Sequence, residues 1–361
     1  MPGITEFGTL DLSCIRQRVD SALDDFFDTK ANKVDSPEQQ ELIALLRRFL
    51  AGGKRIRSTL CTVGWHAITG HEALPPSAVL RTAASLELFH AFALIHDDVM
   101  DNSASRRGMP TIHRYLAARY ADRRSPQQAE CLGISGAILL GDLALAWSDE
   151  LLHAAGLTPA ELAGVLPIIE AMRNEVMHGQ YLDVITTGRP TADTARALDI
   201  IRYKTAKYTI ERPMHIGVLV GGCAAEAIRA AVSAYALPIG EAFQLRDDLL
   251  GVFGSPEQTG KSILEDLRDG KHTYLMALAL RHADSDQRNL LYELLGNPEL
   301  DEHGAAQIRG VLQATGAPAI VEHMISNRRR RALAVLADLP FPPPAIEALK
   351  NFALRATARI S

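Results

Sequence analysis

Residues able to do chemistry gather where two apolar stretches turn acidic. The first runs Leu86-Glu87-Leu88-Phe89-His90-Ala91-Phe92-Ala93-Leu94-Ile95-His96-Asp97-Asp98-Val99-Met100-Asp101, with Arg106-Arg107-Gly108 just beyond it. Asp97 and Asp101 are four apart, so on a helix they project from one face, a turn from each other. Carboxylates that close repel unless a cation sits between them. Oxygen ligands at this spacing suit Mg²⁺, which keeps several waters and completes its shell with substrate phosphate oxygens. One such motif alone is more often a solvated helix end.

The second stretch, Phe243-Gln244-Leu245-Arg246-Asp247-Asp248-Leu249-Leu250-Gly251, repeats the pattern far downstream. Two such helices facing each other would bring carboxylates from both sides onto one metal cluster. His90 lies seven residues before Asp97, two helical turns back on the same face. Gln244, three before Asp247, shares that acid's face. By itself His90 would more often be a satisfied core histidine, and a lone Gly-Gly-Lys-Arg is usually a loop with a surface charge.

With Gly52-Gly53-Lys54-Arg55-Ile56-Arg57 upstream and Gly260-Lys261 downstream, these stretches resemble the trans-isoprenyl diphosphate synthases in order and approximate spacing. The resemblance runs from about residue 45 to about residue 280 and is nearest to geranylgeranyl diphosphate synthases. It implies an all-α fold, a large helical bundle of the isoprenoid synthase type with a central cavity. It also implies a reaction: an allylic diphosphate ionises, the cation adds to isopentenyl diphosphate, and loss of a proton leaves an allylic chain one isoprene unit longer. Dimethylallyl, geranyl or farnesyl diphosphate would be the starter.

The resemblance assigns roles residue by residue. Asp97, Asp101 and Asp247 would hold Mg²⁺, about three ions per site, with Asp98 and Asp248 as further ligands or as acceptors behind them. Arg106, Lys204 and Lys261 match positions that contact the allylic diphosphate, and Lys271 is a weaker candidate. Thr205 would steady the cation through its oxygen, and Gln244 would face the substrate. Lys54, Arg57, Arg107 and His90 would take the second diphosphate, arginine offering a planar fork and lysine a point charge. Gln180 and Asp183 read as buried polar partners lining the site. Gly251 stands where many relatives carry a third aspartate, and Ser58 where proline is common. Phe89, Phe92 and the small Ala93 lie below the first motif, where they would limit chain growth to a twenty-carbon product. A farnesyl or longer-chain synthase, a class I terpene cyclase and a regulatory subunit of a heteromeric synthase are the competing functions.

The elements that must position these residues are helical. Hydrophobic residues make up 47% and aromatics only 6%, and the abundance of Ala and Leu favours helix over strand. No strand of convincing alternation and no repeat is visible. Helices are expected from Leu12 to about Asp28, from Ser36 (a cap with Pro37 and Gln39) to Leu50, and from Arg57 to Thr69. A long one follows Pro75-Pro76. Thr158-Pro159-Ala160-Glu161 is a capping box for a helix kinked at Pro167, and others span Asp193–Glu211, Pro213–Ala224 and Glu226–Leu249. Phe253 to Gly270 reads as a loop. Residues 1–10 look like a loose leader, and 11–361 like a single domain.

A net charge of −5 offers no basic imbalance for nucleic acid. Cys14, Cys61, Cys131 and Cys223 lack any paired spacing and read as buried, reduced thiols of a cytoplasmic protein. No apolar run is expected to be long enough to cross a bilayer, and Arg328-Arg329-Arg330-Arg331 reads as a solvated helix face. A homodimer is expected from the resemblance.

Overall fold

The computed structural model describes residues 10–70, 74–122, 124–254 and 264–358. The leader up to residue 9 and Lys261 fall outside them. The chain divides into two compact units, Met1–Leu166 with Pro213–Ala224, and Pro167–Arg212 with Ala225–Ser361. Both are helical, as composition requires.

In the first unit, α1 (Leu12–Ala31) starts where the Asp11 carboxylate accepts the amides of Ser13 and Cys14. Its buried stripe is Ile15, Val19, Leu23 and Phe27. Helix α2 (Pro37–Leu50) begins at Ser36, but the serine hydroxyl turns to Glu38 and caps no amide. Helices α3 (Ile56–Thr69) and α4 (Ser77–Met100) follow. Every residue of α4 from Thr82 to Phe89 is buried, because α1, α2, α3 and α6 (Pro126–His153) pack around it. Ser125 and Gln128 close a reciprocal cap at the start of α6. A two-residue hairpin, β1 (Ser105–Arg106) and β2 (Met109–Pro110), precedes α5 (Ile112–Arg119).

Helix α9 (Arg212–Val220) completes this unit by crossing α3 at backbone distance. A Cβ at Gly64 would lie 2.6 Å from the Met214 carbonyl oxygen, and one at Gly217 would lie 1.9 Å from that of Cys61. Only glycine fits on either side.

Two helices, Ser77–Met100 and Pro126–His153, are long and apolar enough to span a membrane by length and composition, contrary to the expectation from sequence. Two-thirds of the apolar window of α4 is buried among its neighbours, which is the hydrophobicity of a core helix.

Helix α7 (Pro159–Thr186) opens with the expected Thr158–Glu161 box and continues unbroken through Pro167 into the second unit. There α8 (Thr194–Ile200) runs into π1 (Ile201–Glu211), a π-helix where an ordinary α-helix was expected. Helix α10 (Glu226–Phe253) packs against π1, α15 (Ala317–Ala337) and α16 (Pro343–Ala358). Leu245, Leu249, Leu275, Leu280, Ile308 and Val321 belong to one core with α11 (Glu265–Arg268), α12 (Tyr274–His282), α13 (Ser285–Leu294) and α14 (Glu302–Ala314) around it. The arginine run is only partly solvated: Arg328 bonds Glu241 and Arg329 reaches Thr357.

Of the four cysteines, all free, only Cys61 is buried, and burial pushes its thiol up to about 12. Cys131 is exposed, which corrects the reading of four buried thiols.

Candidate active site

The first acidic motif occupies the last turn of α4, where Asp101 is the C-cap and its amide bonds the Asp97 carbonyl. Asp98 is almost wholly buried, and its carboxylate is gripped by Arg106: Nε lies 3.0 and 2.8 Å from the two oxygens and Nη2 lies 2.7 Å from one. Asp97 stands 3.8 Å from the same guanidinium and remains partly exposed. Of the two roles expected for Asp98, this geometry favours the acceptor behind the metal over the direct ligand. It also ties Arg106, expected on the allylic diphosphate, to the motif itself. Burial works against the charge of Arg106, but its hydrogen bonds to Asp98 and the charges of Asp97 and Asp101 hold its pKa above the ordinary value.

The hairpin aims the next arginine elsewhere. Its two-residue turn places Arg107 at φ 54° and Gly108 at φ 75°, the left-handed pair that matches strand twist. Arg107 thereby reaches the Gly-Gly loop before α3, where Nη1 lies 3.4 Å from the Ala51 carbonyl oxygen. A Cβ at Gly53 would meet the guanidiniums of Arg55 and Arg107 at 3.1 and 3.7 Å. Arg57 is buried on the first turn of α3, whereas Lys54 is exposed. His90 faces this gathering. Burial, then Arg57, Arg106, Arg107 and Arg55, depress its pKa far below the usual imidazole value, so it is neutral. Arg107 is lowered too, by burial and then by Arg106 and Arg55. Several guanidiniums gathered around a neutral donor suit a multiply charged anion.

Two residues here carry little signal in sequence. Arg55 is buried at φ 52°, with Nε 2.7 Å from Asp20 of α1 and Nη1 3.5 Å from Glu87 of α4. Glu87, also buried, accepts the Ser58 amide at 3.1 Å. This pair fixes the start of α3, and hence Arg57. An acid inside an apolar helix was its one trace.

In the second unit, α10 and π1 join through side chains. Thr205 donates to Gln244 at 2.9 Å, and the Gln244 amide donates to Asp248 at 2.9 Å. The Lys204 ammonium lies 2.5 Å from Asp183, which is buried on α7, and Lys271 pairs with Asp266 at 3.6 Å. Asp183 is thus a buried polar partner, as expected. The space of the missing third aspartate is filled: a Cβ on Gly251 would lie 2.5 Å from an Asp266 carboxylate oxygen.

Among the described residues, no three Asp, Glu, His or Cys side chains converge as a closed metal cage. The donor set fits magnesium all the same, since that ion takes few carboxylates and keeps places for water and phosphate.

Burial pushes the Asp248 carboxyl up to about 7; the Gln244 bond opposes this, and Asp247, Asp266 and Asp183 add to it. The folded chain therefore keeps a proton that the unfolded chain loses near its model value of 3.8, so this group's contribution to stability falls as pH rises between those values. Without magnesium, Tm should decline from about pH 4 to pH 7, and Asp248→Asn should remove most of the decline. Scanning fluorimetry at fixed ionic strength checks it; an equal decline in both proteins refutes it.

A sequence model of the polyprenyl synthetase family matches residues 39–311. A short chain isoprenyl diphosphate synthase of Methanocaldococcus jannaschii is 34% identical over 80% of this chain and 78% of its own. A geranylfarnesyl diphosphate synthase of Aeropyrum pernix is 30% identical over 82% and 87%. Among solved structures, a geranylgeranyl pyrophosphate synthase of Corynebacterium glutamicum, complexed with isoprenyl diphosphate and magnesium, is 38% identical. It superposes with a TM-score of 0.91 over 97% of this chain and all of the other.

Proposed function

The chain belongs to the polyprenyl synthetase family, and from that premise we propose that it condenses isopentenyl diphosphate with an allylic diphosphate and stops at geranylgeranyl diphosphate. The observation that carries this reading is the gathering of Arg55, Arg57, Arg106 and Arg107 around a neutral His90. A cyclase, which holds one diphosphate, has no use for a second cationic site. The second motif keeps Asp247 and Asp248, where a subunit without catalysis would lose them.

Each group then has a task. Arg57, Arg107, Lys54 and His90 hold the diphosphate of the isopentenyl substrate, which does not leave. Asp97, Asp101 and Asp247 hold magnesium, about three ions per site, which neutralises the departing diphosphate when bound. Arg106 steadies Asp98 and with it the end of α4, while Lys204 and Lys271, with Lys261 by family resemblance, bind the allylic diphosphate. Asp248 anchors Gln244, and Gln244 orients the Thr205 oxygen toward the developing cation. Residues 11–361 work as one domain. The free cysteines support a cytoplasmic setting, and the exposed Ile138 and Leu139 of α6 support a homodimer.

The test is incubation with isopentenyl diphosphate, each allylic starter and Mg²⁺, followed by product chromatography. A twenty-carbon diphosphate supports the proposal; a hydrocarbon or alcohol means a cyclase, and no product without a partner means a subunit. Arg57→Ala should raise the apparent KM for isopentenyl diphosphate by about tenfold or more, the scale of one charge-assisted hydrogen bond, with little change in kcat. An unchanged KM would show the cationic site to be misassigned.

A further inference from the structure

The helix that carries Lys204 and Thr205 has an unusual form. π1 spans 11 residues, whereas π-helical geometry is ordinarily confined to single turns. Its sequence, Ile201-Arg202-Tyr203-Lys204-Thr205-Ala206-Lys207-Tyr208-Thr209-Ile210-Glu211, contains no glycine or proline that would break an α-helix. The wider winding must therefore be imposed by the neighbours.

Three contacts do so, all within the second unit. Near the start, the guanidinium of Arg202 bonds Glu241 at 3.1 and 2.9 Å, and Glu241 is held in turn by Arg328 at 2.7 Å. In the middle, α7 and α10 touch the backbone itself. A Cβ at Gly179 would lie 2.3 Å from the Lys204 nitrogen, and one at Gly240 would lie 2.5 Å from the Ala206 Cα. At the end, the single carboxylate of Glu175 on α7 takes Lys207 Nζ at 2.5 Å, Arg212 Nε at 2.8 Å and Arg212 Nη2 at 2.6 Å.

The spacing of that last pair is informative. Lys207 and Arg212 are five apart, and the Arg212 amide bonds the Lys207 carbonyl, the i→i+5 link that defines the π form. In an α-helix, at about 100° per residue, two side chains five apart diverge by roughly 140°. Only the wider winding sets both cations above one carboxylate.

We propose that Glu175 is a positioning residue, which clamps Lys207 and Arg212 in π register and thereby sets the placement of Lys204 and Thr205 three and two residues upstream. Relaxation to an α-helix would turn Thr205 away from Gln244 and break the chain that ends on Asp248. Glu175 touches no reacting atom. Its effect on turnover rests on the synthase reading; its effect on the helix does not.

The experiment pairs hydrogen–deuterium exchange with kinetics on the full chain. Glu175→Gln keeps the size and removes the charge. Amide exchange across residues 201–212 should accelerate about tenfold or more, while exchange elsewhere and far-UV circular dichroism stay as in the parent. Per folded molecule kcat should fall about tenfold to a hundredfold, with KM for isopentenyl diphosphate within about twofold, since displacement of positioning groups alone has that size. Glu175→Asp, charged but shorter, should recover part of both. Unchanged exchange or unchanged kcat in folded Glu175→Gln overturns the proposal, as does a loss confined to folded yield. Should that variant not fold, Lys207→Met removes one arm only; it must show the same two effects at smaller size, and unchanged exchange there overturns the clamp. A parent without prenyl transfer would sink the synthase reading and leave the exchange result to decide the clamp.

Discussion

Asp97→Ala should lower turnover at saturating magnesium at least about a hundredfold, the usual scale for losing a preorganised electrostatic stabiliser. The structure sharpens the reason. Asp98 is committed to Arg106, so the end of α4 offers metal through Asp97 and Asp101, a helical turn apart. Asp247→Ala should cost as much, because Asp248 beside it is buried, bonded to Gln244 and half-protonated near neutrality. Both variants should fold, since each removes one of several mutually repelling acids. Product formation from isopentenyl and allylic diphosphates over a magnesium titration measures the effect. Turnover close to the parent's in either variant would show that its acid is not a metal ligand.

A change of product is the second large effect. A growing hydrocarbon must run along an apolar slot, and under the proposed function the groups one and two turns below Asp97 would meet it first. Phe89 and Phe92 are both buried, with ring centroids 5.5 Å apart, and Phe92 also sets its edge against His96 at 4.8 Å. His96 is in turn wedged on α6, where a Cβ at Gly141 would lie 2.3 Å from its ring. The two phenylalanines are thus braced, and under the proposed function they would limit the chain while the small Ala93 would leave room at its own level. Ala93→Phe should shift the main product down to fifteen carbons, and Phe92→Ala should extend it past twenty. Chromatography of dephosphorylated products distinguishes these lengths. If both variants are active and neither changes the distribution, chain length is set on another helix.

What was legible in the sequence was whatever local chemistry decides. Acids closing an apolar helix and Thr158 with Glu161 as a cap both act within one or two turns, and each stands in the structure as expected. What was not legible depends on partners far along the chain. Ser36 has the right type for a cap, yet its hydroxyl is captured by Glu38. Arg55 looks like one more loop charge until Asp20 and Glu87 close on it. Gly251 looks like a lost ligand, although Asp266 stands where its side chain would be. The π winding of 201–211 has no trace in its own residues because α7 and α10 impose it.

The crossing of α3 and α9 also bears on how the chain is made. Its two halves are glycine-lined and meet backbone to backbone, yet α9 leaves the ribosome long after α3. At a synthesis rate of about 5–20 residues per second, the interval is roughly 8–30 s. Throughout it the first unit lacks one wall: the groove at Gly64 stays open, and the apolar residues that α9 will cover face water. The nascent chain thus passes through a period of exposure set by the order of its segments, and it ends when Met214 and Gly217 arrive.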